Sequence, residues 1–200
     1  MPREKSIWKK DKFHHVTTRG NNKQVIFRNR EDYQAFFRIL TEAWERAPFT
    51  IAAYCIMPNH YHLLIRPDTA PLSYTMSFIN TPYSRHFRKK YGYVGRVYQK
   101  RYFSKAIDGN HGLSIVSRYI HRNPIDGAAP LAAAMEEYAH SSFKHFANPE
   151  LSAPLFLKTN EVISVLPPGY QKNSQGYMQF CQRTFRDKRL NQWIETSEIE

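Results

Sequence analysis

The stretch "FTIAAYCIMPNHYHLLIRP", residues 49–67, holds two runs rich in apolar, β-branched and aromatic side chains, parted by a Pro-Asn pair. Pro and Asn suit a tight turn, so the two runs are expected to fold back on each other as an antiparallel hairpin. Before it, "NREDYQAFFRILTEAWERAP" repeats Tyr33, Phe36, Phe37, Leu40, Ala43, Trp44 and Ala47 at helical spacing. Asn29 is the natural N-cap, Asp32 follows three residues on, and Pro48 ends the pattern. An amphipathic helix of this kind covers a sheet. Earlier still, "FHHVTTRGNN" (residues 13–22) reads as a strand that runs into a Gly-Asn turn.

Working the other way, "LSYTMSFINTPYSRHFRKKYG" sets Leu72, Met76, Ile79, Tyr83 and Phe87 on one helix face. Arg88, Lys89 and Lys90 close it before Gly92, where cations suit the dipole, and Pro82 is expected to kink it. "RVYQKRYFSKAI", residues 96–107, is expected as a further strand, and "HGLSIVSRYIHRNP" as a helix halted before Pro124. The order β, α, β, β, α, β, α predicts an α+β fold: a ferredoxin-like antiparallel sheet with helices packed on it. Beyond about residue 126 the patterning weakens. "EEYAHSSFKHF" reads as a partly buried segment, "TNEVISVL" as a short helix, and "YMQFCQRTFRDKRLNQWI" as a basic, aromatic-bearing helix before the acidic "ETSEIE". One domain is expected over residues 1–148, with residues 149–200 as a helical extension that packs on it or contacts DNA.

The charge narrows the partner. Twenty-nine Lys and Arg against 17 Asp and Glu leave +12 on 200 residues, an excess that favours a polyanion through electrostatics and counterion release. No apolar run approaches the roughly 18 residues a membrane span needs. The opening "MPREKSIWKK" lacks the apolar core of a secretory signal, so a soluble, intracellular protein with no membrane partner is expected. Cys55 and Cys181 are the only cysteines and form no CxxC pair, which excludes a disulfide framework and a thiolate zinc knuckle.

Two positions carry chemistry. On a strand, i and i+2 project from one face with Cα atoms about 6.6 Å apart, so His60 and His62 can converge on one ion while Tyr61 points away. The same residues suit a structural role, with His60 capping the turn and His62 hydrogen-bonding in a half-buried sheet. On the later helix, Tyr119 and Asn123 lie four residues apart and share a face. They suit a core tyrosine and a C-terminal amide equally well. Taken together, two imidazoles and an amide oxygen leave open positions on a divalent ion that could polarise a phosphate beside a phenol nucleophile. His14 and His15 are consecutive and face opposite ways, so at most one approaches such an ion. His121 points elsewhere on the helix.

The ordered segments "HVTTRGNN", "AYCIMPNHYHLLI", "RVYQKRYFSKAI" and "SRYIHRNP", with "SSFKHF" after them, resemble the REP-associated tyrosine transposases, single-tyrosine transposases of the HUH endonuclease superfamily. The resemblance covers roughly residues 13–146. It implies that His60 and His62 are the paired metal ligands, that Tyr119 is the nucleophile, and that Asn123 stands where relatives often place glutamine as the third ligand. It further implies a divalent cofactor, Mg²⁺ or Mn²⁺, with no nucleotide. The partner implied is single-stranded or hairpin DNA of the repetitive-palindrome kind, cut and rejoined through a 5′-phosphotyrosine. A bacterial, nucleoid-associated location in the cytoplasm and a monomer or homodimer follow from the same likeness. Arg118 and Arg122 are the cations expected to favour the Tyr119 phenolate. Arg19, Asn21, Asn22 and Lys23 in the first loop, then Lys100 and Arg101, are the expected DNA contacts, although each also suits a solvated basic surface. A nuclease using metal-bound water, or a hairpin-binding regulator that does not cut, would use the same residue set.

Overall fold

A computed structural model describes residue 9 and residues 11–126 and 129–183, and the described residues form four strands and six α-helices. The strands are β1 His14–Arg19, β2 Phe49–Met57, β3 His60–Pro67 and β4 Phe103–Ala106, paired throughout antiparallel in the order β2-β3-β1-β4. The helices are α1 Arg30–Arg46, α2 Leu72–Tyr91, α3 Gly109–Asp126, α4 Phe143–Ala147, α5 Asn160–Ile163 and α6 Ser174–Gln182. This is the α+β arrangement the sequence pattern implies. The expected basic helix is described only as far as Arg183, and the first eight residues and the acidic tail lie outside the described residues. Among the described residues no helix is long and apolar enough to cross a membrane.

Strand alternation sorts the sheet into two faces. One carries Val16, Tyr54, Ile56, Tyr61, Leu63 and Ile65 into a core shared with α1 and α2. The other carries Ala53, Cys55, Met57 and Leu64 into a second core with α3, α4 and α6. Asn29 and Asp32 close a reciprocal capping box at the start of α1. The buried Asp32 carboxylate also accepts from Tyr91 Oη at 2.6 Å and Lys90 Nζ at 2.9 Å, which ties α1 to the end of α2.

The outer edge of β2 is covered rather than open. Ile51 exchanges backbone bonds with Phe156 and Lys158, Ile56 donates to the His140 carbonyl, and Tyr54 donates to Ser142 Oγ at 2.8 Å. A covered edge cannot recruit a stray strand.

α2 runs as one element across Pro82, the single helix its pattern implies. Two element boundaries differ from the sequence reading. α3 continues past Pro124 to Asp126, because a bidentate Arg122–Asp126 pair and a bond from Leu131 N–H to the Pro124 carbonyl sustain its last turn. The strand expected over residues 96–107 shrinks to Phe103–Ala106. Tyr98 and Gln99 still pair with Gly20 and Arg19, but Lys100 and Arg101 turn outward between the two pairings.

Candidate active site

The central strands set the site. On the face turned to α3, the register places Arg19 opposite His60 and Thr17 opposite His62, and puts His15 across from Leu64. Lys105 of β4 lies opposite His15. A row of polar groups therefore crosses the middle of the sheet on the one face that α3 covers.

Hydrogen bonds orient the two expected ligands. His60 Nδ1 lies 2.6 Å from Asn59 Oδ1, an atom that only accepts, so the imidazole proton sits on Nδ1 and the lone pair on Nε2. His62 Nδ1 lies 2.9 Å from His15 Nε2 and 3.1 Å from Thr17 Oγ1, while its Nε2 is buried without a hydrogen-bond partner. The His60 and His62 ring centroids are 4.9 Å apart and the planes nearly perpendicular, at 83°.

All three imidazoles are held neutral. Burial pushes His60 down to about 4, with the Arg19 charge adding to it, and pushes His15 down to about 3, with Lys105 adding. His62 is lowered well below the usual histidine range by burial first, then by His60, His15 and Arg19. Neutral rings keep the lone pairs that metal ligation needs.

Tyr119 comes to this row from α3, which packs on β2 and β3. Its half-buried ring meets His62 edge-on at 5.6 Å between centroids and His15 at 5.9 Å. Asn123, one turn further on, donates through Nδ2 to the Tyr119 carbonyl at 2.8 Å, which leaves Oδ1, the atom that suits a hard cation. An orphaned, buried His62 Nε2 and an oriented His60 are the kind of nitrogen donors a divalent cation takes, with the amide oxygen of Asn123 as the expected third ligand one helical turn from Tyr119. Among the described residues no three of His, Cys, Asp and Glu form a ligand group. His15 meets His62 ring to ring.

The other expected site residues divide. Arg19 sits close enough to depress both histidines. Asn21, Asn22 and Lys23 form a 3-10 turn in which Asn22 and Lys23 are exposed and left-handed, and Asn59 Nδ2 donates to the Lys23 carbonyl at 3.3 Å. Lys100 and Arg101 are exposed on the outward turn beside it. These basic groups share the end of the sheet where His60 lies. Arg118 and Arg122 do not supply the cations expected for the phenolate. Arg118 is only 4% exposed and donates to the carbonyls of Phe180 and Arg183, while Arg122 donates to the Cys181 carbonyl at 2.9 Å and pairs with Asp126. Both cap the C-terminus of α6, where a helix dipole attracts cations.

The sequence reading left open which of His14 and His15 approaches the ion, and gave Thr17 and Asn59 no part in the site. Strand parity is the signal that finds His15 and Thr17: counted from Arg19 opposite His60, every second residue of β1 shares the histidine face.

Residues 9–123 match the family model described as transposase, IS200-like. A Haemophilus influenzae protein assigned as a REP-associated tyrosine transposase is 26% identical over 133 residues, which cover 60% of this chain and 74% of that one. Among solved structures, a REP-associated tyrosine transposase bound to a REP hairpin shares the fold, with a TM-score of 0.62 at 19% identity over 79% of this chain and 92% of that one. The matched pattern runs through more than half of the chain, from β1 to the turn that carries Tyr119 and Asn123, and the protein therefore belongs to the IS200-like transposases, a family of DNA-cleaving enzymes.

Proposed function

We propose that this transposase cuts and rejoins single-stranded DNA at or beside palindromic hairpins, with Tyr119 as nucleophile and with His60, His62 and Asn123 holding Mg²⁺ or Mn²⁺. The observation that carries the reading is the meeting of Tyr119, from α3, with the orphaned His62 of β3. A bound divalent cation supplies charge neutralisation at a phosphate oxygen, where negative charge gathers in the transition state. Tyr119 Oη attacks phosphorus as the bond to the 3′ oxygen breaks, so the 5′ phosphate stays esterified to tyrosine and the 3′ oxygen leaves with a proton. Attack on that ester by a different 3′-hydroxyl reverses the step and joins strands. The ester conserves the bond energy, so no nucleotide cofactor is required.

With Arg118 and Arg122 committed to α6, the cations nearest the imidazole row are Arg19 and Lys105. Lys23, Lys100 and Arg101 extend this basic edge, which suits a phosphate backbone. The hairpin partner rests on the likeness to the relative solved with one. Tyr119 meets the histidines of its own chain, so the reading assigns cleavage in cis.

The test is covalent capture. The protein is incubated with Mn²⁺ and a single-stranded oligonucleotide carrying a hairpin. A protein–DNA adduct that disappears in Tyr119→Phe is expected. An adduct that survives the substitution moves the nucleophile elsewhere, and cleavage without any adduct assigns the attack to water.

A further inference from the structure

His15 has no assigned part in this chemistry, yet it touches both the nucleophile and a ligand. Its ring and that of His62 are parallel within 4°, with centroids 5.1 Å apart and the facing nitrogens only 2.9 Å apart. That combination is an edge-to-edge arrangement in one plane, the geometry of a direct N–H···N bond and not of a face-to-face stack. Thr17 Oγ1 lies beside the same bond, 3.1 Å from His62 Nδ1 and 3.4 Å from His15 Nε2.

We infer that His15 is a positioning residue for the metal ligand: its Nε2 accepts from His62 Nδ1–H, and this fixes the tautomer in which His62 presents a lone pair at Nε2. The direction of the bond follows from the proposed metal. The reverse direction would put a proton on His62 Nε2, a buried atom with no hydrogen-bond partner, and block the lone pair a cation takes, whereas the direction inferred puts the other proton on His15 Nδ1, away from the ligand position. The bond also removes His15 from the ligand set, because the nitrogen facing the site is spent on His62. The same ring stands edge-on to Tyr119, so one side chain sets the ligand and walls the nucleophile. His14, its neighbour, turns to the opposite face and shares none of this.

The inference rests on the proposed metal site, so the experiment separates the two. Imidazole ¹⁵N spectra of the full metal-free protein report the tautomer of His62, with His62→Ala assigning its signals. The Nδ1–H form is expected, and an Nε2–H form overturns the inference. Mn²⁺ affinity is then measured by calorimetry for wild type, His15→Phe and His15→Gln. Loss of the outer acceptor in the phenylalanine variant is expected to weaken Mn²⁺ binding about 10- to 100-fold. The glutamine variant, whose Oε1 accepts, is expected to stay near wild type. Wild-type affinity in a folded His15→Phe, or equal loss in both variants, overturns the inference. Wild-type protein that shows the Nδ1–H form but takes up no Mn²⁺ supports the tautomer assignment and removes the metal from the proposed function. Should His15→Phe fail to fold, the tautomer of the wild-type protein decides.

Discussion

Gly20 is the residue on which the turn beside the site depends. Its N–H donates to the Asn59 carbonyl at 2.8 Å, and Asn59 in turn holds His60. A Cβ added to Gly20 would stand 2.3 Å from the backbone oxygen of Gln24, which has no freedom to swing aside. Gly20→Ala is therefore expected to cost about 1–3 kcal/mol, as overpacking does elsewhere. Urea denaturation checks this, and an unchanged midpoint would mean that the turn yields freely. The sequence offered a Gly-Asn turn here, but not the requirement for glycine, because the crowding atom belongs to a backbone fold four residues on. His15 teaches the same lesson. Its chemical type was plain, and its place appeared only once the β1–β3 register fixed which of two adjacent histidines shares the face of His60 and His62.

At the scale of elements, α3 is clamped from the side that faces the C-terminal segment. Besides the two arginines, buried His121 joins Ser142 Oγ through Nε2 and Tyr177 Oη through Nδ1, both at 2.6 Å. Tyr54 N–H donates to Ser142, which donates to His121, which donates to Tyr177, which donates to Ser117, whose hydroxyl reaches the Ser114 carbonyl. Every donor in the chain is served, provided that His121 is neutral, and burial pushes it down to about 3. The sign follows. The unfolded state binds a proton near pH 6.5 that the folded state refuses, so the stability His121 contributes is complete above pH 6.5 and falls as pH drops toward 3. His121→Phe removes the titration and takes one hydrogen bond from each of the Ser142 and Tyr177 hydroxyls. Its stability deficit is expected to be largest near pH 8 and to shrink by about 1.4 kcal/mol for each pH unit below 6.5. Denaturation midpoints of both proteins at pH 8 and pH 5 check this, and a constant deficit would show that His121 is not the titrating group. The helix itself was legible from the spacing of Leu113, Val116 and Ile120, whereas the clamp was not, because its partners lie 21 to 65 positions away in the chain. The same distance explains why Arg118 and Arg122 read as free cations in the sequence: the α6 carbonyls they cap carry no signature in side-chain pattern.

For the whole molecule, Tyr119 and His62 meet within one chain, and the proposed function assigns cleavage in cis. Mixing Tyr119→Phe with His62→Ala protein is accordingly expected to leave adduct formation absent, where an enzyme that exchanged its tyrosine helix between protomers would regain it. Recovery of adduct in the mixture would refute cleavage in cis. The order of strands and helices was readable because periodicity alone defines it, and the paired histidines stood out for the same reason. What was hidden is the strap of residues 156–158 along β2 and the seating of α6, which depend on meetings that no local pattern encodes.

The seating of α3 carries one more consequence. On the proposed mechanism, the tyrosine sits on a helix held by two guanidinium groups and a buried imidazole. The protein would then act as an anvil: the captured 5′ end would stay where it was cut, and a change of recombination partner would come from incoming 3′ ends trading places over a stationary ester.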